Sequence, residues 1–483
     1  MLTIARCLEL LAAHGALATF VSPATPAARE VRIDSVSSDG RSLRPGQLFV
    51  ALRGEHFDGH DFIRQAAAAG ASAALIEQAW LDRQTPADLP AGLVLISVDD
   101  SRRALATLAA GWRAGFELPL IGITGSNGKT TVKEMCAAIL RAALDPAAGG
   151  ESVLATRGNL NNDIGLPLTL LGLRAHHRAA VIEMGMNHPG EIAALSALAR
   201  PTVAVVTNAQ RAHLEGMGTV EEVAQEKGSI YDSLAADGVA IINADDSHAG
   251  QWRARAGDRQ VLSFGRAAGA DVQLLSVRPL GSAQTIVLVT PQGELACELA
   301  LLGEHNALNA AAATAACLAA GVRLDAVRAG LSSFAGVPGR LQQRAGIGGA
   351  LIIDDSYNAN PDSVRAAIEV LAAMPGHTWL VLGDMGEVGE ASAQLHDELG
   401  GLARSKGIDQ LFALGEMAAL AAHNFGEGGR HFKTADALLK ALRPALDARA
   451  VVLVKGSRFM RMEKVADALA AVHNASPAAS TGS

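Results

Sequence analysis

The chain has 483 residues, 49% of them hydrophobic and 19% charged, and this composition excludes a disordered protein. The length is too great for a single core, so about three domains are expected. A net charge of −8 argues against nucleic-acid binding, which usually requires a basic domain. No apolar run reaches the ~20 residues needed to span a bilayer, and the N-terminus lacks a signal-peptide layout. The four cysteines are far apart and form no C-x-x-C pair, which argues against a zinc ribbon or a disulfide framework: Cys7, Cys136, Cys297 and Cys317. We therefore expect a cytoplasmic protein without stable membrane insertion.

Residues 1–113 are predicted to form a small N-terminal α/β domain. The stretch begins with a helix, and strand-like segments follow at 47–52 and 73–76. Helical patterns occupy residues 62–69 and 101–114, and the second of these leads toward a glycine-rich segment.

Residues 114–335 show the alternation that is typical of parallel βαβ units. Short β-branched runs at 179–182, 202–207 and 238–242 are separated by segments with helical periodicity. An Ala-rich run at 309–321 is about a dozen residues long, so it predicts a buried helix. This central domain is predicted to be a parallel sheet with helices on both faces.

A glycine- and proline-containing break at 336–340 predicts a hinge before a third domain, which extends to residue 475. Four buried strands are expected in this Rossmann-like α/β domain: 350–354, 378–382, 410–414 and 450–454. The tail at 476–483 is predicted to be disordered. The fold class is therefore α/β with three domains.

The clearest chemical motif lies between an apolar run and a helical pattern, and it has the form Gly-x-x-Gly-Lys-Thr. Glycines let backbone N–H groups approach phosphate, the lysine reaches the outer phosphates, and the threonine hydroxyl is placed to hold Mg²⁺. An ordinary turn is the alternative, but the flanking strand and helix favour ATP binding. Seven consecutive residues are expected to contact ATP: Gly125, Ser126, Asn127, Gly128, Lys129, Thr130 and Thr131.

Two further residues follow predicted strands, where ligands bind in open α/β sheets. Glu183 closes the run at 179–182, and with Thr130 it is a candidate magnesium ligand. A surface or helix-capping glutamate is the alternative. His213 follows the strand at 202–207 and is a second candidate metal ligand, although most isolated histidines are merely packed or exposed.

Lys227 lies on the apolar stripe of a predicted helix, so its side chain is expected to face inward. A buried ammonium is costly unless it is paired or chemically changed. A desolvated lysine with a lowered pKa can react with CO₂ to form a carbamate, which would act as a metal ligand. The alternative is a lysine whose ammonium reaches solvent beside its neighbours.

Several polar residues complete the candidate site. Asn306 and Asn309 could bind a base edge with their amides, or they could be N-cap residues. Arg340, at the hinge, could reach a transferring phosphoryl group when the domains close. The polar segment at 354–361 and the basic turn at 455–458 each follow a strand, so we expect ligand contacts there.

These motifs, in this order, resemble those of the Mur ligases, the ATP-dependent amino-acid and peptide ligases of peptidoglycan synthesis. The resemblance covers nearly the whole chain. Its strongest elements are the segments 125–131 and 156–162, together with Glu183, His213 and Lys227.

Within the family, the chain is most similar to members that join D-alanyl-D-alanine to UDP-N-acetylmuramoyl-tripeptide. The segments that carry this similarity are 44–52 with 57–62, 355–361, and 383–389 with the following His396. The Asp-Asn-Pro-Arg tetrapeptide typical of the sibling that adds the third stem-peptide residue is absent. The chain has Asp39-Gly40-Arg41 where the family often has Asp-Ser-Arg or Asp-Thr-Arg, so individual uridine contacts stay open.

The resemblance implies a monomeric enzyme that activates the tripeptide carboxylate as an acyl phosphate, using ATP and two Mg²⁺ ions. It implies catalytic roles for Lys129, His213, Lys227 and Arg340, and metal ligation by Thr130, Glu183, His213 and carbamylated Lys227. It adds Asn306, Asn309, Arg340, Asp355 and Tyr357 to the ATP contacts. It also implies substrate contacts by Ser38, Asp39, Arg41, Phe57, Asp58, His60, Thr156, Asn159, Asn161, Asn358, Asn360, Lys455 and Ser457.

Two alternative functions remain at this point. A folylpolyglutamate synthetase would share the superfamily but lack the uridine-binding first domain, so residues 31–76 argue against it. A phosphate-loop ATPase acting as a switch would turn over ATP without forming an amide. That second alternative leaves the inward-facing Lys227 unexplained.

Overall fold

The computed structural model describes residues 2–22, 26–145 and 151–471, and the predicted disordered tail lies outside these ranges. Three main β-sheets follow one another along the chain, within residues 18–98, 120–299 and 342–455. Helices flank each sheet, so the predicted three-part α/β architecture is confirmed. No helix in the described ranges combines the length and the apolar character needed to cross a membrane.

The first sheet has five strands in the order β2-β7-β6-β5-β4, and a short β1–β3 ladder lies beside it. Strands β4 to β7 run parallel, whereas β2 pairs antiparallel with β7. The strands are β1 (Leu2–Thr3), β2 (Ala18–Ser22), β3 (Arg32–Ile33), β4 (Ser35–Ser37), β5 (Gln47–Val50), β6 (Ala73–Glu77) and β7 (Val94–Val98). The helices are α1 (Ile4–Ala13), α2 (Pro26–Arg29), α3 (Ile63–Ala68), α4 (Gln78–Leu81) and α5 (Ser101–Arg113).

The central sheet has nine strands in the order β16-β15-β14-β13-β12-β11-β8-β10-β9. The strands are β8 (Leu120–Thr124), β9 (Val153–Ala155), β10 (Ala179–Glu183), β11 (Val203–Val206), β12 (Val239–Asn243), β13 (Gln260–Gly265), β14 (Val272–Leu280), β15 (Ala283–Thr290) and β16 (Gly293–Leu299). The helices are α6 (Lys129–Leu144), α7 (Gly165–Leu170), α8 (Glu191–Ala199), α9 (Leu214–Met217), α10 (Val220–Gly228), α11 (Ala249–Ala256), α12 (Glu304–Ala319) and α13 (Leu324–Ser332).

This central sheet differs from the prediction at one edge. Strands β8 to β14 form the parallel part of the sheet, but β15 and β16 continue it as an antiparallel extension. Two-residue connections at 281–282 and 291–292 join these last strands, and such connections produce hairpins rather than helical crossovers. The predicted helices on both faces are present, because alternate residues of the central strands pack against α7 and α8 on one face and against α6 and α12 on the other.

The third sheet has six strands in the order β17-β18-β22-β19-β20-β21, parallel except for β17 at one edge. The strands are β17 (Gln342–Ala345), β18 (Leu351–Asp355), β19 (His377–Gly383), β20 (Gln410–Leu414), β21 (Gly429–Phe432) and β22 (Ala450–Lys455). The helices are α14 (Pro361–Ala372), α15 (Ser392–Ser405), α16 (Ala418–Phe425), α17 (Ala435–Leu442) and α18 (Glu463–Leu469). All four strands predicted for this domain are present, at β18, β19, β20 and β22.

Candidate active site

The phosphate-binding turn lies between β8 and α6, as predicted. Gly125 and Gly128 both have positive φ, at 149° and 84°. A Cβ at Gly125 would collide with Thr207 Oγ1, and a Cβ at Gly128 would collide with the Asn309 side chain. The two glycines are therefore required because the backbone is unusual there and neighbouring side chains pack directly on the turn.

Lys129 is the first residue of α6, and its ammonium is held over the turn. Nζ donates hydrogen bonds to Gly125 O at 2.5 Å and to Ser126 O at 3.2 Å. Burial lowers the pKa of Lys129, while the Glu183 carboxylate opposes this effect and Arg340 adds to it. The helix N-terminus and this ammonium together favour a polyanion above the turn.

Glu183 is the last residue of β10, and it is only 2% exposed, so the surface alternative is wrong. Its Oε2 accepts a hydrogen bond from Thr130 Oγ1 at 2.9 Å, and its Oε1 accepts one from Asn161 Nδ2 at 2.8 Å. Arg340 Nη2 donates to Thr130 Oγ1 at 3.0 Å. A hydroxyl and a carboxylate side by side fit Mg²⁺, which binds to one or two protein oxygens plus phosphate and water.

Lys227 lies on α10 and is 1% exposed, so the alternative of an ammonium reaching solvent is wrong. Burial holds the pKa of Lys227 well below its usual range, the nearby Lys129 charge lowers it further, and Glu226 opposes the shift. Within the described ranges, no hydrogen bond or ion pair engages its ammonium. A buried amine with a lowered pKa fits the chemistry of carbamate formation.

His213 directly precedes α9 and lines the same cavity as Lys129. Its side chain is 19% exposed, and Nδ1 lies 2.7 Å from Glu387 Oε2 of the third domain. Burial lowers the pKa of His213, the Glu387 carboxylate opposes this, and Lys129 and Lys227 lower it further. The described residues contain no cluster of three His, Cys, Asp or Glu side chains suited to a metal ion.

Asn306 and Asn309 lie inside α12, whose N-cap is Gly303, so the N-cap alternative is wrong for both. Asn306 Nδ2 donates to Leu302 O at 2.8 Å, and Asn309 Nδ2 donates to Asn306 Oδ1 at 3.1 Å. The two amides line the cavity beside the phosphate-binding turn.

The third domain supplies the opposite wall. The Arg340 guanidinium lies 4.3 Å from the centre of the Tyr357 ring, and its Nε is buried without a hydrogen-bond partner. Lys455 Nζ lies 2.6 Å from Asp355 Oδ2 and donates to Asn358 O at 2.9 Å. These contacts fix the carboxyl ends of β18 and β22 against each other.

One cavity of about 910 Å³ brings most of the predicted residues together. It is lined by Ser126, Asn127, Gly128, Lys129, Thr130, Thr131, Asn159, Asn161, Glu183, His213, Asn306, Asn309, Arg340, Asp355, Tyr357, Asn358, Asn360 and Lys455. The start of the first domain's last helix also contributes, through Asp100, Arg102 and Arg103, which sequence reasoning missed. The cavity is therefore walled by all three domains.

Family models match three consecutive parts of the chain. The Mur ligase family, catalytic domain matches residues 32–113, the Mur ligase middle domain matches 123–317, and the Mur ligase, glutamate ligase domain matches 339–458. The chain is 42% identical over 443 residues to UDP-N-acetylmuramoyl-tripeptide--D-alanyl-D-alanine ligase of Escherichia coli strain K12, covering 91% of this chain and 94% of that protein. The chain belongs to the Mur ligase family. It is an ATP-dependent ligase, as the sequence motifs predicted.

Solved structures of Mur ligases have the same architecture. MurF from Acinetobacter baumannii superposes with a TM-score of 0.84 at 36% identity, covering 95% of this chain and 97% of that one. MurF ligase from Thermotoga maritima, solved in complex with ADP, gives a TM-score of 0.76 at 30% identity, covering 91% of this chain and 97% of that one.

In this Mur ligase, the predicted residues of the first domain lie apart from the cavity, after two adjacent parallel strands. Ser38, Asp39 and Arg41 follow β4, and Phe57, Asp58 and His60 follow β5. Phe57 is 62% exposed, and Arg41 forms an exposed ion pair with Asp39 at 2.9 Å. His60 is buried, with Nδ1 2.5 Å from Asp58 Oδ1 and Nε2 accepting from Glu77 N at 2.9 Å.

Four other predicted residues do not line the cavity: Gly125, Thr156, Lys227 and Ser457. Thr156 Oγ1 accepts a hydrogen bond from Glu183 N at 3.0 Å, so it supports the candidate metal ligand from behind. Ser457 Oγ donates to Ala359 O at 3.0 Å and accepts from Gly386 N at 2.8 Å, which joins two third-domain loops.

Lys133 is a residue of this Mur ligase site that sequence reasoning missed. It is fully buried on α6, one helical turn after Lys129, and its Nζ donates to Thr156 O at 2.7 Å and to Glu134 Oε1 at 2.5 Å. A signal was available, because the chain has few lysines and this one shares a helix face with Lys129. Lys133 thus holds the strand end that supports Glu183.

Proposed function

We propose that this chain joins D-alanyl-D-alanine to the C-terminal carboxylate of UDP-N-acetylmuramoyl-tripeptide. A carboxylate oxygen of the tripeptide attacks the γ-phosphorus of ATP, and ADP leaves. The amine of D-alanyl-D-alanine then attacks the acyl carbon, phosphate leaves, and the amine loses a proton. The observation that carries the proposal is the single cavity in which the phosphate-binding turn, the Thr130–Glu183 pair and Arg340 meet.

Each domain has a part in this reaction. Residues 1–113 bind the UDP substrate, residues 114–335 bind ATP, and residues 336–475 complete the ligase site. In the first domain, the residues after β4 and β5 lie at one sheet edge, because the carboxyl ends of parallel strands meet there. Exposed Phe57 and the Asp39–Arg41 pair offer an aromatic face and charged groups at that edge.

The γ-phosphate and the tripeptide carboxylate repel each other, so charge neutralisation dominates the barrier. Lys129 supplies one positive charge at the turn, and Arg340 supplies another from the third domain. Because Arg340 Nε is buried without a partner, it retains a free donor for a transferring phosphoryl oxygen. Asn306 and Asn309 offer amides beside the turn for the rest of the nucleotide.

Thr130 and Glu183 would hold one Mg²⁺, which when bound neutralises the phosphate oxygens. His213 and a carbamate on Lys227 would hold a second. The carbamate forms when the neutral Lys227 amine adds to CO₂ and loses a proton, and the lowered pKa of Lys227 favours the neutral amine. This modification replaces a buried amine by an anion, which would offer a carboxylate-like oxygen as a metal ligand.

The substrate peptide would lie along the polar part of the cavity. Asn159 and Asn161 line it from the central domain, and Asn358, Asn360 and Lys455 line it from the third. Their amides and the ammonium suit a peptide backbone and a carboxylate. Closure of the third domain on this region would exclude water that otherwise hydrolyses the acyl phosphate.

The test is product analysis by mass. The chain is incubated with ATP, Mg²⁺, UDP-N-acetylmuramoyl-tripeptide and D-alanyl-D-alanine, and one pentapeptide is expected for each ADP. Lys129→Ala should lose both products, because the phosphate-binding ammonium is gone. ATP turnover without any amide product would favour the switch-type ATPase and would refute the proposed ligation.

A further inference from the structure

Glu387 belongs to a tightly held turn that follows β19 in the third domain. The turn is anchored from two sides, because Met385 N donates to His396 Nε2 at 2.9 Å and Gly386 N donates to Ser457 Oγ at 2.8 Å. Glu387 itself has a φ of 61°, a left-handed conformation that non-glycine residues seldom adopt. Such strain persists where the surrounding structure fixes it, and functional sites are enriched in it.

Hydrogen bonds also fix Asp384, the first residue of this turn. Asp384 accepts hydrogen bonds from Glu416 N at 3.0 Å and from Ala418 N at 2.7 Å, which ties β19 to the start of α16. The segment is therefore anchored within the third domain, while the Glu387 side chain lies against the central domain. Because the turn is anchored in this way, the position of Glu387 follows the position of the third domain.

Glu387 contacts the central domain at two points. Its Oε2 lies 2.7 Å from His213 Nδ1, and its backbone oxygen accepts from Glu215 N at 3.4 Å. His213 is also left-handed, with a φ of 59°. Two residues in a costly conformation thus meet across the domain boundary, at the edge of the cavity.

A carboxylate on one ring nitrogen of histidine fixes the tautomer and the ring orientation, and it leaves the other nitrogen for a metal. Among the described residues, no hydrogen bond engages His213 Nε2. The Nδ1–Oε2 contact is at hydrogen-bond distance, but its angle departs from that of a well-formed bond. Contacts of this kind in active sites commonly tighten when ligands bind.

We propose that Glu387 is a positioning residue that the third domain supplies to His213. The ring is oriented for metal binding only when the third domain is docked, so domain closure completes the second metal site. The inference rests on the proposed function, in which His213 is a metal ligand. It goes further by making that ligand dependent on a side chain from another domain.

The experiment measures closure as a function of Mg²⁺, without relying on turnover. All four cysteines are buried, so spin labels can be attached selectively at Asp237→Cys in the central domain and Lys433→Cys in the third, both exposed positions. The β,γ-methylene analogue of ATP is held constant and Mg²⁺ is titrated. Electron–electron distances then report the closed fraction.

Glu387→Gln keeps the shape of the side chain but removes its charge. We expect its Mg²⁺ midpoint for closure to rise about 10- to 100-fold, the usual effect of losing a residue that orients a metal ligand, with a similar fall in kcat. The matched control is Glu390→Gln, an exposed residue in the same region, which should behave as the parent. Glu387→Asp should recover part of the loss, and melting temperatures check that all variants fold.

The outcomes separate the two claims. If Glu387→Gln matches Glu390→Gln in both the Mg²⁺ midpoint and kcat, while His213→Ala is impaired, the positioning role is wrong and the metal role of His213 stands. If His213→Ala retains the parent's Mg²⁺ dependence, both claims are wrong. If Glu387→Gln has no further effect when it is added to His213→Ala, the two residues act as one unit, as proposed.

Discussion

The first and third domains contact the central domain through different kinds of surface. One apolar core runs from the first domain into the central domain, so that Leu105 and Leu108 of α5 share a cluster with Leu166 of α7 and Leu195 of α8. Arg113, at the end of α5, donates to the backbone oxygens of Ala199 at 2.9 Å, Phe116 at 2.6 Å and Arg200 at 3.2 Å. This interface resembles a domain interior.

The third domain is attached by polar contacts that surround the cavity. Asn360 Nδ2 donates to Asn127 Oδ1 at 2.9 Å, and Arg211 pairs with Asp362 at 2.6 Å. Its two apolar clusters lie almost wholly within the domain. Polar, partly solvated interfaces cost little to separate, whereas a shared apolar core does not slide. The comparison indicates a first domain that is fixed to the central domain and a third domain that can move against it.

The largest loss of activity is expected from a change in the central domain, which contacts both other domains. Lys227→Ala is expected to abolish ligation, because the proposed carbamate ligand would be lost, and added short carboxylic acids should restore part of the activity. Lys440→Ala, an exposed lysine on α17, is the matched control. Ligation assays with and without acetate provide the measurement. Normal turnover of Lys227→Ala would show that the carbamate has no role.

The interface between the first and central domains can be weakened by removing a buried side chain from the core that they share. Leu105→Ala removes a fully buried side chain from the shared core, so unfolding should become easier by about 2–5 kcal/mol. Leu275→Ala, at a side chain that is 46% exposed, should change stability by less than about 0.5 kcal/mol. Denaturant unfolding compares the two. Equal stabilities would mean that the first domain is not anchored through this core.

Removing the Lys133 ammonium, which holds Thr156 behind Glu183, should have an intermediate effect on the Mg²⁺ requirement. Lys133→Met is expected to raise the Mg²⁺ requirement for ligation about 10- to 100-fold, because Thr156 would no longer be held against the Glu183 backbone. Lys464→Met, an exposed lysine on α18, serves as the control. Kinetics at varied Mg²⁺ measure the shift. A fall in stability with an unchanged Mg²⁺ requirement would limit Lys133 to a packing role.

The mobile interface should respond least to a single change. Asp362→Asn weakens its partly exposed ion pair with Arg211, and such pairs contribute about 0.2–1 kcal/mol. The ratio of closed to open molecules should therefore fall by no more than about five-fold. Distances between the same two spin labels give this ratio, with the exposed Asp258→Asn as the reference. A much larger change would mean that this single contact, rather than the whole polar set, holds the domain.

The positions of the candidate residues could be predicted from the sequence where they depend on local patterns. The phosphate-binding turn needs only neighbouring glycines and Lys129, and the inward direction of Lys227 follows from the helical stripe. Strand ends gave Glu183 and His213, because ligand groups gather where parallel strands finish. The hinge position indicated Arg340, whose approach to Thr130 spans 210 positions in sequence.

Contacts between residues that are distant in sequence could not be predicted from local patterns. Glu387 lies in a segment that was recognised as a family signature, but nothing local indicates that it meets His213. Lys133 could be suspected from its spacing, yet its partner Thr156 could not. The antiparallel strands β15 and β16 were missed because the βαβ pattern of the preceding residues was extended to them, although a two-residue turn separates β14 from β15.

The most direct test of the account follows oxygen atoms from the substrate. The tripeptide is prepared with ¹⁸O in its C-terminal carboxylate, and the phosphate released during ligation is analysed by mass. An acyl phosphate formed in the shared cavity predicts one ¹⁸O in inorganic phosphate for each new peptide bond. Amide formation with unlabelled phosphate would contradict phosphoryl transfer to the carboxylate, and with it the proposed role of the cavity.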